Sequence, residues 1–355
     1  MRSLPDFPWD TLAPYGEKAR AHPGGMIDLS QGTPVDPTPE FIQKALISHA
    51  NSPRYPLTAG TPELREALRH FAREHLGARG DFDVLPTIGS KEAVAWLPTI
   101  LQSKKVLFPT IAYPTYRVGA MIAGSHYEDV NIDAKQWPES DLAWINSPSN
   151  PTGRVHTTSE LEEVIAYARR TGSIVASDEC YLDFPVSDVK PQSILVVAAG
   201  NNKNLLALHS LSKRSNMAGY RGACIIGDSE LISRILEFRK HAGMMVPLPV
   251  QHAMVAALAD QKHVEVQAER YRARRTYLAS ALTNCGFTIA ESGAGLYIWC
   301  TRAESGWASV DFLAGFGILA TPGSFYGSAG ENFVRVALTA SDSDIAEAAN
   351  RLIAG

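Results

Sequence analysis

Through the middle of this chain, apolar runs of strand length alternate with longer amphipathic stretches, a pattern that fits an α/β domain built on a mostly parallel sheet. Val106–Pro109, Leu142–Asn146 (LAWIN), Thr171–Ser177 (TGSIVAS), Leu205–His209 (LLALH) and Ala223–Ile226 read as buried strands. Helical patterns stand between them. The clearest is Ser159–Arg170 (SELEEVIAYARR), with Ser159 as the cap and Glu162 as the third-residue acid of a capping box. From about residue 228 a long helical stretch, interrupted at Pro247 and Pro249, runs on through Val264–Leu282. Phe287–Leu338 reads as strands and turns, followed by a final helix from Ser341 or Ser343. The expected divisions are an arm with part of a small domain over 1–35, a large domain over 36–245 flanked by helices, and a smaller α+β domain over 246–355.

With 355 residues, 45% of them hydrophobic and 20% charged, the chain can bury one large core or two linked ones. A net charge of -4 supplies no broad basic field for nucleic acid or anionic lipid, so a small-molecule partner is expected. The opening MRSLPDFPWDTLAPYGEKAR has acids and prolines where a secretory signal needs an apolar core, and the expected location is the cytoplasm. Cys180, Cys224, Cys285 and Cys300 are scattered without a C-x-x-C pair and read as buried thiols. His209 and His252 lack paired ligand spacing and read as packing or surface residues, and no metal is expected.

Open parallel sheets gather ligands beyond the carboxyl ends of their strands. Three such places carry chemistry: Asp178, Cys180 and Tyr181 after one strand; Ser210, Ser212 and Lys213 after another; and Gly89-Ser90 before the helix-like KEAVAWL. A helix start offers free N–H groups to a phosphate, and Ser90, Ser210, Ser212 and Arg221 add further donors. Lys213, with Ser212 and Ser215 close to it, is the chain's best candidate for a nucleophile towards an aldehyde. A carboxylate at Asp178 can keep a pyridine nitrogen protonated, making the ring an electron sink. Asn150-Pro151-Thr152-Gly153 reads as a turn after the strand at Leu142–Asn146, and its amide can donate to a phenolate oxygen, as can Tyr181.

These segments, taken in order with Gln31-Gly32-Thr33-Pro34, Tyr55-Pro56-x-x-x-Gly60, Tyr113-Pro114-x-Tyr116 and Phe333-Val334-Arg335-Val336, resemble the fold-type I, class I and II aminotransferases over nearly the whole chain. The resemblance implies pyridoxal 5'-phosphate (PLP) as cofactor, bound by Lys213 as a Schiff base. It also implies Asp178 against the ring nitrogen, Asn150 and Tyr181 on the ring's phenolic oxygen, Tyr113 stacked on the ring, and the phosphate held by Ser90, Lys91 (through its backbone), Ser210, Ser212 and Arg221. Arg335 would clamp the substrate α-carboxylate, helped by Asn150 and the backbone of Gly32. Tyr55 would reach the phosphate in a neighbouring subunit, which implies a homodimer. The segments LPDFPWDTLAPYGEKARAHPGG, QGTPVDPTP and HSLSKRSNMAGYRGA are further similar to actinobacterial succinyldiaminopimelate aminotransferases of lysine and diaminopimelate biosynthesis. That similarity implies N-succinyl-LL-2,6-diaminopimelate as amino donor and 2-oxoglutarate as acceptor.

Three other readings compete. A C–S β-lyase, or an aminotransferase for another amino acid, would share the cofactor residues and differ in substrate positioning. A non-catalytic regulatory module is disfavoured by the lack of a basic segment. A Rossmann dehydrogenase is disfavoured because Gly293-x-Gly295 falls late, among strand-like residues.

Overall fold

The computed structural model describes residues 4–186, 189–290 and 293–354; residues 1–3 of the expected arm and 291–292 of the expected strand-and-turn segment lie outside the described residues. In chain order the strands are β1 (Ile27–Asp28), β2 (Asp83–Ile88), β3 (Lys105–Pro109), β4 (His126–Val130), β5 (Leu142–Asn146), β6 (Ile174–Asp178), β7 (Leu205–Ser210), β8 (Gly222–Gly227), β9 (Thr288–Ala290), β10 (Tyr297–Thr301), β11 (Ile318–Leu319), β12 (Thr321–Pro322) and β13 (Val334–Ala337). Seven of them form the central sheet in the order β2-β8-β7-β6-β5-β3-β4. Only β8 runs against its neighbours in that sheet. The order reverses at β5 and β3, so the crevice expected at such a switch point opens beside Asn146 and the segment after Pro109.

The period of two along each strand divides the core into two layers. Leu142 and Trp144 of β5, Ala176 of β6, and Leu206 and Leu208 of β7 face one cluster, packed under the helices Ser90–Ile100, Thr115–Ala123 and Ser229–Ala242. Ala143, Ile145, Val175, Leu205 and Ala207 face the other, with the helices Glu40–Ser48, Pro62–Glu74, Thr158–Thr171 and Leu248–Ala259. A third cluster joins the four-stranded sheet β12-β13-β10-β9 to the helices Lys262–Asn284 and Asp342–Ala354, and takes in Ile27 and Leu29, with β1 paired to β11.

Four sequence expectations need correction. The helix Leu248–Ala259, expected in the smaller domain, packs on Glu40–Ser48 and Pro62–Glu74 in the core of the large sheet. The stretch read as strands and turns contains a helix, Gly306–Gly315, started by Ser305. Its glycines at both ends and its almost wholly apolar middle hid the helical period. Cys224 and Cys300 are buried as expected, but Cys180 and Cys285 are half-buried. The capping box lies two residues upstream of the position read: Thr157 accepts from Glu160 N, and the Glu160 carboxylate accepts from Thr157 N. Thr157→Ala is therefore expected to cost about 1 kcal/mol of stability in urea unfolding, with Ser159→Ala staying within roughly 0.5 kcal/mol.

Candidate active site

The strands end where the reactive residues begin. Asp178 closes β6 on the same face as Ala176, and its Oδ2 accepts from the Tyr116 hydroxyl at 2.8 Å while Oδ1 accepts from Cys180 N at 3.3 Å. Burial pushes the Asp178 carboxyl above its ordinary range, against the bonds from Cys180 and Tyr116 and the charge of His209. Among the described residues no side-chain cation pairs with it, so an added N–H cation at this carboxylate would favour its ionised form.

Ser210 closes β7 and caps the short helix Leu211–Arg214 by accepting from Ser212 N at 3.2 Å. That turn holds Lys213 at the cavity wall, where its ammonium makes no hydrogen bond or ion pair with the described residues. Ser215, read as a second hydroxyl beside the lysine, is turned away and bonds His263 Nε2 at 2.9 Å.

The helix Ser90–Ile100 begins after Gly89, whose φ of 74° is left-handed, and no side chain caps it. The Arg221 guanidinium lies so close that a Cβ on Gly89 would sit 2.1 Å from one of its nitrogens. An uncapped helix start, the Ser90 hydroxyl and a guanidinium thus meet at one end of the cavity, a ready cradle for a dianion.

At the other end Arg335, on β13, is only 3% exposed. Its guanidinium donates to Ser30 O at 2.6 Å and to Asn150 Oδ1 at 3.1 Å, and lies 4.1 Å from the Tyr297 ring centre. Its Nε is buried without a partner, and no carboxylate pairs with it among the described residues. Tyr181 shares a 3.1 Å hydroxyl contact with Tyr297, and burial followed by that neighbour pushes its phenol well above the ordinary range, so it remains a donor. Gly32 is held so near Tyr297 that a Cβ would fall 2.0 Å from the phenol oxygen.

One cavity of about 1210 Å³ is lined by Gly32, Ser90, Lys91, Tyr113, Asn150, Asp178, Tyr181, Ser210, Ser212, Lys213, Arg221 and Arg335. Tyr55 is apart from this group and 94% exposed. Sequence reasoning missed Trp9, Tyr297, Phe325 and Tyr326, which complete the wall: Trp9 packs on Phe325 at 5.3 Å and on Tyr326 at 6.4 Å. Single aromatics in an arm and in separate strands carry no local pattern, so only the fold brings them together.

An anion cradle, a lysine unpaired among the described residues, a buried carboxyl and a buried guanidinium line the same cavity and fit one ligand with a phosphate, an aldehyde and a basic ring nitrogen. Pyridoxal phosphate has that set, and the fold and site define a pyridoxal-phosphate enzyme. The chain belongs to the class I and II aminotransferase family, which its residues 24–352 match. It is 49% identical to the 4-dedimethylamino-4-oxo-anhydrotetracycline transaminase OxyQ of Streptomyces rimosus, over 99% of this chain and 100% of that protein. It is likewise 49% identical to "Probable aminotransferase Rv1178" of Mycobacterium tuberculosis, over 99% of this chain and 85% of that one. A solved structure from Thermus thermophilus, titled "probable N-succinyldiaminopimelate aminotransferase", superposes with a TM-score of 0.88 at 28% identity, covering 98% of this chain and 99% of its own. The protein is therefore a PLP-dependent aminotransferase of fold type I. No helix among the described residues is long and apolar enough to cross a membrane.

Gly89→Ala must displace the Arg221 guanidinium as well as strain a left-handed backbone position. A rise of about tenfold or more in the dissociation constant for pyridoxal phosphate, read by absorbance titration, is the expected result.

Proposed function

We propose that the protein transfers the amino group of N-succinyl-LL-2,6-diaminopimelate to 2-oxoglutarate, with Lys213 as the catalytic residue. The observation that carries the carboxylate end of this reading is Arg335, a buried cation whose Nε has no partner and whose other nitrogens are fixed by Ser30 and Asn150. A guanidinium left in this state favours a carboxylate, and Gly32 lines the cavity with it. The cavity also holds two cations, Lys91 and Arg117, that make no ion pair among the described residues and instead lie over the rings of Phe7 and Tyr127 at 5.6 Å each. The distal end of the proposed donor is anionic, and these two side chains suit it. The Thermus relative's title supports the same substrate.

Bound pyridoxal phosphate supplies the aldehyde that takes the amino group and the electron sink that acidifies the donor's Cα–H. Ser90, the backbone of Lys91, Ser210, Ser212 and Arg221 hold the phosphate; Tyr113 covers the ring; Asp178 keeps the ring nitrogen protonated; Asn150 and Tyr181 donate to the phenolic oxygen. Lys213, as a free amine, would take the proton from the donor's Cα and hold it for return on the cofactor side. Arg335 binds the α-carboxylate of donor and acceptor in turn. Exposure of Tyr55 supports its reaching a phosphate in a second copy, in a homodimer.

One further observation favours a second reading, in which the acceptor is a larger aromatic ketone. Phe7, Trp9, Phe108, Tyr127 and Phe325 make much of the wall aromatic, and the Streptomyces rimosus relative carries an anhydrotetracycline in its name.

Addition of N-succinyl-diaminopimelate to the cofactor-loaded protein, without any keto acid, is expected to convert the visible absorbance to that of the pyridoxamine form. An unchanged spectrum with this donor would move the assignment to another amine. Lys213→Ala is expected to abolish turnover. Arg335→Ala should weaken carboxylate binding by about 2–5 kcal/mol, and an unchanged KM for both substrates would show that the clamp lies elsewhere.

A further inference from the structure

The residues assigned to the cofactor have neighbours in the chain that meet on the other face of the sheet. Beside Asp178 stands Glu179, two residues beyond Tyr181 stands Asp183, before Ser210 stands His209, and after Lys213 stands Arg214. The strand period sends Asp178 and Ser210 to the cavity, and Glu179 and His209 to the core behind it. There Glu179, with no exposure, accepts from Ile194 N at 2.8 Å and pairs with His209 Nε2 at 3.0 Å. Asp183 pairs with Arg214 Nε at 3.1 Å and with His75 Nε2 at 2.6 Å. The Arg214 guanidinium lies 5.1 Å from the Phe71 ring centre, and the His209 ring meets the same phenylalanine edge-on at 5.6 Å.

We propose that this buried charged layer positions the cofactor-holding residues on the opposite face, with His209 and Arg214 as its positioning residues. Charge balance is the first argument. Glu179 and Asp183 are two buried carboxylates, and Arg214 is the one cation among their partners that cannot lose its proton. Glu179 is a fully buried carboxylate with one backbone donor, and the His209 imidazole is the side chain nearest its other oxygen, at 3.0 Å. Connectivity is the second. The layer ties the end of β6 to the end of β7 and to the turn that carries Lys213, so a shift in any of its pairs moves Asp178 relative to Lys213.

The groups that face His209 are Glu179 from β6, Asp183 beyond it, His75 at the end of Pro62–Glu74, Arg214, and Cys224, its register partner on β8, while Asp178 feels its charge from the opposite face. Burial pushes the Cys224 thiol up to about 12, so it contributes no charge. Burial also pushes Asp183 up, but the His75 bond and the charges of Arg214, His75 and His209 outweigh it and hold that carboxyl below its ordinary range. A positive charge at His209 acts the same way on Asp178, favouring the carboxylate that a protonated ring nitrogen requires.

The sign of the test follows, because removing a nearby positive charge raises the pKa of every group that feels it. In the holoenzyme, His209→Gln puts an amide beside Glu179 in place of the imidazole and removes the capacity for a positive charge there. It is expected to move the pH midpoint of the bound cofactor's absorbance upward by about half a unit or more, and to weaken pyridoxal phosphate binding about threefold to tenfold. Arg214→Gln should move the midpoint in the same direction, with Arg214→Lys close to wild type because the charge is retained. Melting of the apoprotein, measured alongside, separates a structural effect: a layer that only stabilised the fold would lower the melting temperature and leave the midpoint in place. A wild-type midpoint and dissociation constant in folded His209→Gln or Arg214→Gln would overturn the proposal. The inference rests on Lys213 and Asp178 holding the cofactor, and failure of that assignment would look different, as a cofactor absorbance band that persists in Lys213→Ala.

Discussion

Arg335 is a guanidinium buried at the seam of two cores with no carboxylate among the described residues to answer it, and the rest of the site is arranged around that cost. Its strand, β13, belongs to the four-stranded sheet, yet its donors run to Ser30 in the segment after β1 and to Asn150 beyond β5 of the large sheet. The Tyr297 and Tyr326 rings flank it at 4.1 and 5.1 Å, contacts worth about 0.5–2 kcal/mol each where water is excluded. Desolvating an ion costs several kcal/mol, so these partners leave room for a substrate carboxylate to complete the set. Binding energy at this residue would then also draw the two sheets onto the substrate.

The central sheet performs a second task by its period alone. Alternate residues at the ends of β6 and β7 face opposite ways, so the strands that deliver Asp178 and Ser210 to the cavity deliver Glu179 and His209 to a buried polar layer behind it. A site built in this manner has its support in the same residues' neighbours, and the geometry of Lys213 is fixed from both sides of the sheet. The proposed phosphate end depends on a different device, a glycine whose left-handed backbone and missing Cβ let Arg221 lie against a bare helix start.

Much of this was legible in the sequence because its signals are local. The strand at Leu142–Asn146 has the bounds read for it, and β7 and β8 differ by a residue or so, since short apolar runs between helical patterns leave little choice of register. The residues expected to hold the cofactor follow strand ends and helix starts, where topology puts ligands, and all but Tyr55 line one cavity. What was not legible is tertiary. The helix Gly306–Gly315 has no clear polar face, Thr157 outcompetes Ser159 for the cap by backbone geometry, and the aromatic wall of Trp9, Tyr297, Phe325 and Tyr326 is assembled from distant segments. His209 reads as a packing or surface residue along the chain; only the pairing of β6 with β7 shows it against Glu179.

The central claim is that Lys213 carries the cofactor, and chemical trapping tests it most directly. Borohydride reduction of the protein loaded with pyridoxal phosphate, followed by proteolysis and mass spectrometry, should fix the pyridoxyl group on a single peptide, at Lys213. Labelling at another lysine, or a protein that binds the cofactor and yields no labelled peptide, would contradict the account.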